Sequence, residues 1–206
     1  LGDVYKRQLL GDASQSVNPY GSSTADMIQK ALVTGEVMKL CKSYRSTYEI
    51  TDFAQRIRTN TDLEPVARHG EKPRVLRYNN EKEELSSIKE LIATYQASTY
   101  KSLGIVCKTE SQAREMADKL QIPDIHFLSN QSSAFVQGIV ITSAHMAKGL
   151  EFDEVIIPRV DDKNYHSEID RSMLYVAVTR AMHRLTLTYS RNKTLLSVSY
   201  THLRAH

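Results

Sequence analysis

The stretch that decides the fold is VITSAHMAKGLEFDEV at residues 140–155. Together with Ile139 before it, this stretch opens on an apolar run that is typical of a buried strand, and Gly149 then marks a turn. A second stretch, LYVAVTRAMHRL at residues 174–185, presents Arg180 beyond an apolar segment. In α/β proteins, phosphate is bound by turns at the carboxyl ends of parallel strands and by arginines, which keep their charge. The two stretches therefore predict a phosphate site at that end of a sheet.

Around these stretches, short apolar runs alternate with amphipathic patterns along the chain. The apolar runs predict strands ending at residue 10 and at residues 37–42, 74–77, 103–108, 125–128, 138–142, 155–158 and 185–189. The amphipathic patterns predict helices at residues 23–30, 81–96, 111–120 and 168–181, and one that is capped by Ser46 or Thr47 and ends near residue 59. This alternation indicates an α/β fold with a mostly parallel sheet and helices on both of its faces.

Composition limits the class of protein. A chain of 206 residues with 41% hydrophobic residues can bury one full core and part of a second domain. It contains no run of roughly 18 apolar residues and no leader pattern, so we expect a soluble, cytoplasmic protein. Cys41 and Cys107 lack metal-ligand spacing, which favours two reduced thiols, with a disulfide between them as the alternative.

The two ends of the chain differ in character from the rest. Residues 1–8, LGDVYKRQ, and residues 198–206, VSYTHLRAH, resemble translated sequencing-adapter read-through and are expected to be non-native tails. Without their charged side chains, the net charge falls from +3 to about +1. That value is too small to predict nucleic-acid binding from net charge alone, so any such prediction depends on local residues.

Four short clusters occur in a fixed order. They are GDASQS at residues 11–16, SYRST at 43–47, TSAHMAKGLEF at 142–152 and VTRA at 178–181. They resemble motifs III, IV, V and VI of superfamily-one helicases of the UvrD/Rep type, and the likeness extends over residues 9–190. The resemblance implies a RecA-like fold of the P-loop NTPase type, ATP as the nucleotide, and ATP-dependent movement on single-stranded DNA in the 3′ to 5′ direction.

Two arginines are the predicted catalytic cations. A nucleoside triphosphate bound between two lobes needs positive charge over its γ-phosphate in the transition state. The resemblance implies that Arg45 and Arg180 supply it. The alternative is that each arginine pairs with a carboxylate of its own surface, such as Asp12 or Glu49.

Four further residues are assigned to the nucleotide by the resemblance. It implies that Tyr44 stacks on the adenine, that Gly149 lets the backbone approach the nucleotide, and that Glu151 accepts a hydrogen bond from the ribose. Gln15 would link the γ-phosphate to the path of the strand. The alternatives are a core tyrosine, a turn glycine beside a capping glutamate, and a glutamine that satisfies loop backbone groups.

Three residues are assigned to nucleic acid. The resemblance implies that Thr142 and His145 donate to backbone phosphates and that Tyr20 stacks on a base. Lys148 could add charge there, although a solvated lysine is equally expected. Tyr20 lies in Asn18-Pro19-Tyr20, where the family usually has Tyr-Gly-Trp.

Two elements of an ATPase are absent from the sequence. None of its glycines begins a Gly-x-x-x-x-Gly-Lys-Ser/Thr loop, and no Asp-Glu pair ends an apolar strand before Leu9. The resemblance implies that these elements, with the Mg²⁺ ligands, belong to a first lobe, so we expect this chain alone not to hydrolyse ATP. Residues 9–36 are then a remnant of the first lobe with a linker, residues 37–190 are the second lobe, and residues 191–206 are a tail.

The connection before motif V points to one branch of the family. Residues 121–137 are short where the repair helicases carry a large inserted domain. This compact form resembles the HelD-type branch, whose members use ATP to release RNA polymerase from nucleic acid. A lobe that docks on RNA polymerase is therefore the alternative to a DNA helicase. A P-loop protein unrelated to nucleic acid is disfavoured, because it would explain motif VI but not motif III.

Overall fold

The computed structural model describes residues 45–58, 68–129 and 137–191, and the backbone alone at residues 42–43 and 64–65. Helices in this part of the chain are α1 Tyr48–Ile57, α2 Glu81–Gln96, α3 Glu110–Leu120 and α4 Glu168–Val178. Strands are β1 Lys42–Ser43, β2 Glu64–Pro65, β3 Arg74–Arg77, β4 Ser102–Cys107, β5 Ile125–Phe127, β6 Gly138–Ser143, β7 Phe152–Ile157 and β8 Ala181–Tyr189. The strand predicted to end at residue 10 and the helix predicted at residues 23–30 lie outside the described residues.

The strands form one six-stranded sheet in the order β3-β8-β7-β4-β6-β5 and one small sheet of β1 with β2. Every pairing in both sheets is parallel. The prediction of an α/β fold with a mostly parallel sheet is thus confirmed. Strand β2 was not predicted, since it lies in a polar segment. None of the described helices is long and apolar enough to cross a membrane.

Alternate residues of each strand point to opposite faces of the large sheet. Because the residues on both faces are apolar, helices cover both faces. Helices α1 and α4 pack on one face, against Val106, Val140, Val155, Ile157, Leu185 and Leu187. Helices α2 and α3 pack on the other face, against Leu103, Ile105, Cys107, Ile139, Ile141 and Ile156. Burial raises the pKa of the Cys107 thiol to about 12, so this cysteine is a packing residue and stays protonated.

The start of α1 differs from the predicted side-chain cap. Thr47 occupies the N-cap position, but its hydroxyl makes no capping bond, and the Ser46 hydroxyl donates to the Ala181 carbonyl at 2.6 Å. The first free N–H of the helix, at Tyr48, is satisfied by the Arg68 carbonyl at 2.8 Å. A backbone segment that is remote in sequence therefore replaces the local cap.

Strands β7 and β8 begin earlier than the sequence predicts, and this changes the position of the phosphate-site residues. β7 begins at Phe152 instead of 155, and β8 begins at Ala181 instead of 185, because the Phe152 N–H donates to the Arg180 carbonyl at 3.0 Å. Glu151 and Arg180 therefore lie at the amino ends of parallel strands. The predicted position at the carboxyl ends is wrong for both residues.

Candidate functional site

One loop joins the carboxyl edge of the sheet, where its parallel strands end, to the amino edge, where they begin. Residues 144–151 leave the carboxyl end of β6 and reach the amino end of β7, which runs in the same direction. Since β6 has six residues, these edges are roughly 17 Å apart. The loop is wound into turns, with the Ala147 N–H donating to the Ser143 carbonyl at 2.9 Å. Gly149 lies in the last turn with a φ of +88°, which favours glycine.

At the amino edge, Arg45 is held by the carboxylate of Glu151, the residue directly before β7. Its Nε donates to Oε1 of Glu151, which is 106 positions away in the sequence. The two side chains remain 35% and 44% exposed, so a ligand from solvent can reach both. Glu49, which was one of the expected partners of an arginine, is bound to His69 and to the Gly70 N–H.

Arg180 is buried at the same edge, with 1% of its surface exposed. Its Nε donates to the Val176 carbonyl at 3.1 Å, its Nη1 to the Leu150 carbonyl at 3.3 Å, and its Nη2 to the Thr179 hydroxyl at 3.1 Å. These three acceptors are neutral oxygens, and the bonds to them fix the orientation of the guanidinium. A cation in a surrounding of low dielectric constant interacts strongly with a nearby anion.

The segments that carry the two arginines run side by side. Besides the Ser46 bond to Ala181, the Thr47 N–H donates to the Met182 carbonyl at 3.2 Å. Arg45 and Arg180 then contact consecutive residues of the loop, namely Glu151 and Leu150. The structure therefore brings together the parts of motifs IV, V and VI that were predicted to meet the nucleotide.

A third guanidinium at this edge was not predicted. The Nη2 of Arg68 donates to the Arg45 carbonyl and to the Met182 carbonyl, the latter at 3.2 Å. Among the described residues, Arg45, Arg68 and Arg180 thus bring three guanidiniums to this edge, where Arg45 binds the carboxylate of Glu151. Arg68 has no local signal in the sequence, because its partners Arg45 and Met182 are 23 and 114 positions away.

Two of the three residues predicted to contact nucleic acid, Thr142 and His145, lie at the opposite edge. Thr142 is fully buried near the end of β6, and its hydroxyl donates to the Leu128 carbonyl at 3.0 Å. That bond uses the only proton of the hydroxyl, so a phosphate contact would have to replace it. His145 and Lys148 are exposed in the loop. The role of Thr142 and His145 in nucleic-acid binding stays a prediction.

Several predicted residues fall outside the described part of the chain. They are Gln15, Tyr20, Tyr44 and Asp12. Their assigned roles stay predictions. Within the described residues, no group of three or more His, Cys, Asp or Glu side chains could hold a metal ion.

A buried ion pair fixes the helix that precedes Arg180, and sequence patterns did not predict it. Lys108, just after β4, lies 2.5 Å from the carboxylate of Asp170 in the first turn of α4. Burial alone would raise the pKa of Asp170, but the hydrogen bonds from Lys108 and from the backbone of Ser167 and His166 outweigh burial and hold it at about 2. Helix α4 therefore begins from a fixed point.

The chain is similar to known proteins in sequence. The family model of the UvrD-like helicase C-terminal domain matches residues 38–136 and 126–192. DNA helicase II of Escherichia coli K12 and that of Salmonella typhimurium LT2 are each 33% identical over 75 residues, which are 32% of this chain and 10% of theirs. The chain thus corresponds to about a tenth of those proteins.

A solved structure covers more of the chain. The C-terminal domain of a possible DNA helicase from Lactobacillus plantarum matches 78% of this chain and 95% of its own length, with 28% identity and a TM-score of 0.65. The parallel sheet with helices on both faces is thus the RecA-like fold of a helicase C-terminal domain. Since the family model spans most of the chain, this protein belongs to the family of UvrD-like helicase C-terminal domains.

Proposed function

We propose that this chain is the second RecA-like lobe of an ATP-dependent superfamily-one DNA helicase that moves 3′ to 5′ on single-stranded DNA. The observation that carries the proposal is the convergence of Arg45 and Arg180 on residues 150–151. Two guanidiniums held from separate segments at one edge provide the fixed positive charge that a phosphoryl-transfer transition state requires.

The pair of Arg45 and Glu151 gives a binding mode for ATP. Both side chains are partly exposed, and a surface ion pair is worth little, about 0 to 1 kcal/mol. A triphosphate therefore displaces the carboxylate from Arg45 at low cost. The freed Glu151 accepts a hydrogen bond from the ribose. The buried Arg180 stays bonded to the Leu150 carbonyl and contributes positive charge to the same site.

The loop 144–151 provides the coupling between ATP and DNA. Its first residues, including the exposed His145, lie at the carboxyl edge, and its last residue, Glu151, lies at the nucleotide edge. A shift at Glu151 on ATP binding is transmitted through the tightly hydrogen-bonded turns between them. Single-stranded DNA at the carboxyl edge is thereby held or released as the nucleotide changes.

Other parts of the reaction belong to another lobe. The sequence contains no Gly-x-x-x-x-Gly-Lys-Ser/Thr loop, and within the described residues no group of three or more His, Cys, Asp or Glu side chains could hold a metal ion. We assign no Mg²⁺ ligand to this lobe. Hydrolysis requires the first lobe, and this chain supplies Arg45, Arg180 and Glu151 to the shared cleft.

The test is nucleotide binding by this chain, followed by amide shifts in NMR spectra. ATP and inorganic tripolyphosphate should both move the amides of residues 45–47 and 149–151, and adenosine should move them much less. Arg45→Ala should weaken the binding of both anions about tenfold. The control is Arg114→Ala, which removes an exposed arginine of α3 that is far in the sequence from residues 45–47 and 149–151. Equal responses of the two variants would refute the assignment.

One observation favours a second function. Only residues 128–137 separate β5 from β6, which leaves no room there for an inserted domain. This short connection resembles that of the HelD-type branch and favours the alternative function, a lobe that docks on RNA polymerase and recycles it. Two relatives are DNA helicase II and the third is the C-terminal domain of a possible DNA helicase, and this favours the first function. If His145→Ala no longer bound single-stranded DNA but still bound RNA polymerase, the second function would be favoured over the first.

A further inference from the structure

Segment 68–70 lies over the start of α1 and contacts it at several points. The Arg68 carbonyl accepts from the Tyr48 N–H at 2.8 Å. The Glu49 carboxylate accepts from the Gly70 N–H at 2.8 Å and contacts Nδ1 of His69 at 2.9 Å. We name residues 68–70 the clasp. It holds the helix that begins directly after the Arg45 loop.

The clasp fits closely, which fixes its distance from the helix. A Cβ added at Gly70 would lie 2.6 Å from Cγ2 of Thr47, whose side chain is buried. Burial raises the pKa of Glu49, but the hydrogen bonds from His69 and Gly70 outweigh it and leave the pKa below its ordinary value. Glu49 is therefore charged at neutral pH and keeps the clasp bound.

From the clasp, the Arg68 side chain reaches the two segments of the nucleotide site at once. Its Nη2 donates to the carbonyl of Arg45 and to the carbonyl of Met182, two residues beyond Arg180. A planar guanidinium can bridge two carbonyls in this way, whereas a lysine ammonium on a flexible stem gives a less defined geometry. Arg68 thus links the two segments through a side chain, in addition to the bonds that Ser46 and Thr47 make between them.

We infer that Arg68 is a positioning residue, which holds the backbone of Arg45 against the strand after Arg180 so that both guanidiniums address one phosphate group. The inference rests on the proposed nucleotide site and adds a residue to it. It explains how an exposed loop arginine is kept in register with a buried one. A displacement of a binding group by about 1 Å can cost a factor of ten or more, so this function requires a rigid link.

The experiment compares Arg68→Ala, Arg68→Lys and the control Arg114→Ala in this chain. The first readout is the Nε–Hε resonance of Arg45 without ligand, and the second is the affinity for ATP. We expect Arg68→Ala to shift the Arg45 resonance and to weaken ATP binding about tenfold. Arg68→Lys should keep the charge but recover less than half of that loss, and Arg114→Ala should change neither readout.

The outcomes separate this inference from the proposed function. An unmoved Arg45 resonance in Arg68→Ala overturns the positioning role, whatever the affinity. Full recovery of affinity by Arg68→Lys also overturns it, since charge alone would then suffice. If the unchanged chain shows no response to ATP, the proposed function fails, while the Arg45 resonance still tests the positioning role. Should Arg68→Ala fail to fold, Arg68→Gln serves for the same comparison.

Discussion

Arg45 and Arg180 contact consecutive residues of one loop, Arg45 through the Glu151 carboxylate and Arg180 through the Leu150 carbonyl at 3.3 Å. The three segments involved are far apart in the sequence and meet at the amino edge of the parallel sheet. The partly exposed arginine is held by a weak, replaceable ion pair, and the bonds of the buried one include two backbone carbonyls and the Thr179 hydroxyl. In the proposed site, an anionic ligand takes the place of the Glu151 carboxylate on Arg45.

Gly149 should tolerate a side chain only at a conformational cost. Its φ of +88° is unfavourable for other residues, although a Cβ there would meet no atom within 4 Å. We expect Gly149→Ala to lower the free energy of unfolding by about 1 to 2 kcal/mol, measured by urea denaturation. Gly149→Asn should cost less, because asparagine tolerates this region. Equal stability of all three proteins would mean that the turn is not built as described.

Gly104 should be required for a different reason, namely close contact. A Cβ on this β4 residue would lie 2.5 Å from Cδ2 of the buried Phe152. We expect Gly104→Ala to destabilise the domain by about 1 to 3 kcal/mol. In a Phe152→Leu background the same change should cost at least about 1 kcal/mol less, a coupling that a double-mutant cycle measures. Strict additivity would contradict the contact.

Asp170 should make stability depend on pH in the acid range. Its pKa is about 2 in the folded protein, below the ordinary value of 3.8, so the folded state favours the charged form. The stabilisation is therefore complete above about pH 5 and is lost as the pH falls from about 4 to 2, with a total of about 2 kcal/mol. Asp170→Asn should lower stability at pH 7 and flatten this part of the profile.

The matched control for Asp170 is Glu168→Gln, two residues earlier in the same helix turn. Glu168 is largely exposed, so its loss should leave the acid profile of the free energy of unfolding unchanged. If Asp170→Asn retains the full slope between pH 4 and 2, other carboxylates cause it, and the pair with Lys108 contributes little.

Thr142 should act on stability through its bond to Leu128. Thr142→Val keeps the shape of the side chain but removes the donor at 3.0 Å from the Leu128 carbonyl. We expect a loss of about 1 kcal/mol in the free energy of unfolding. Thr94→Val, the same change at an exposed site of α2, should have little effect. A loss of single-stranded DNA binding in Thr142→Val without any loss of stability would show that the hydroxyl acts on the nucleic acid alone.

Local sequence patterns predicted the elements well where local interactions decide them. Helix α2 has the predicted bounds, since Asn80 caps it through the Glu83 N–H at 2.9 Å and its apolar residues recur at helical spacing. The core face of α1 was also correct, with Ile50, Phe53 and Ile57 buried. The succession of strands and helices along the chain from β3 to β8 was predicted from the same local patterns.

Contacts that depend on remote pairing could not be predicted from local patterns. The early starts of β7 and β8 come from the bond between Phe152 and Arg180, and this moved Glu151 to the amino edge. The role of Arg68 depends on its contacts with the remote carbonyls of Arg45 and Met182, which no periodicity indicates. Family resemblance named Arg45 and Glu151 separately, but only the fold shows them as a pair.

The shared phosphate site is tested most directly by the Nε–Hε resonances of Arg45 and Arg180 during a titration of this chain with ATP. We expect both resonances to move and to give the same dissociation constant, because in the proposed site Arg45 binds the phosphates and Arg180 contacts the same loop. Tripolyphosphate should reproduce both shifts. An Arg180 resonance that stays fixed while Arg45 titrates, or two different constants, would contradict a common site.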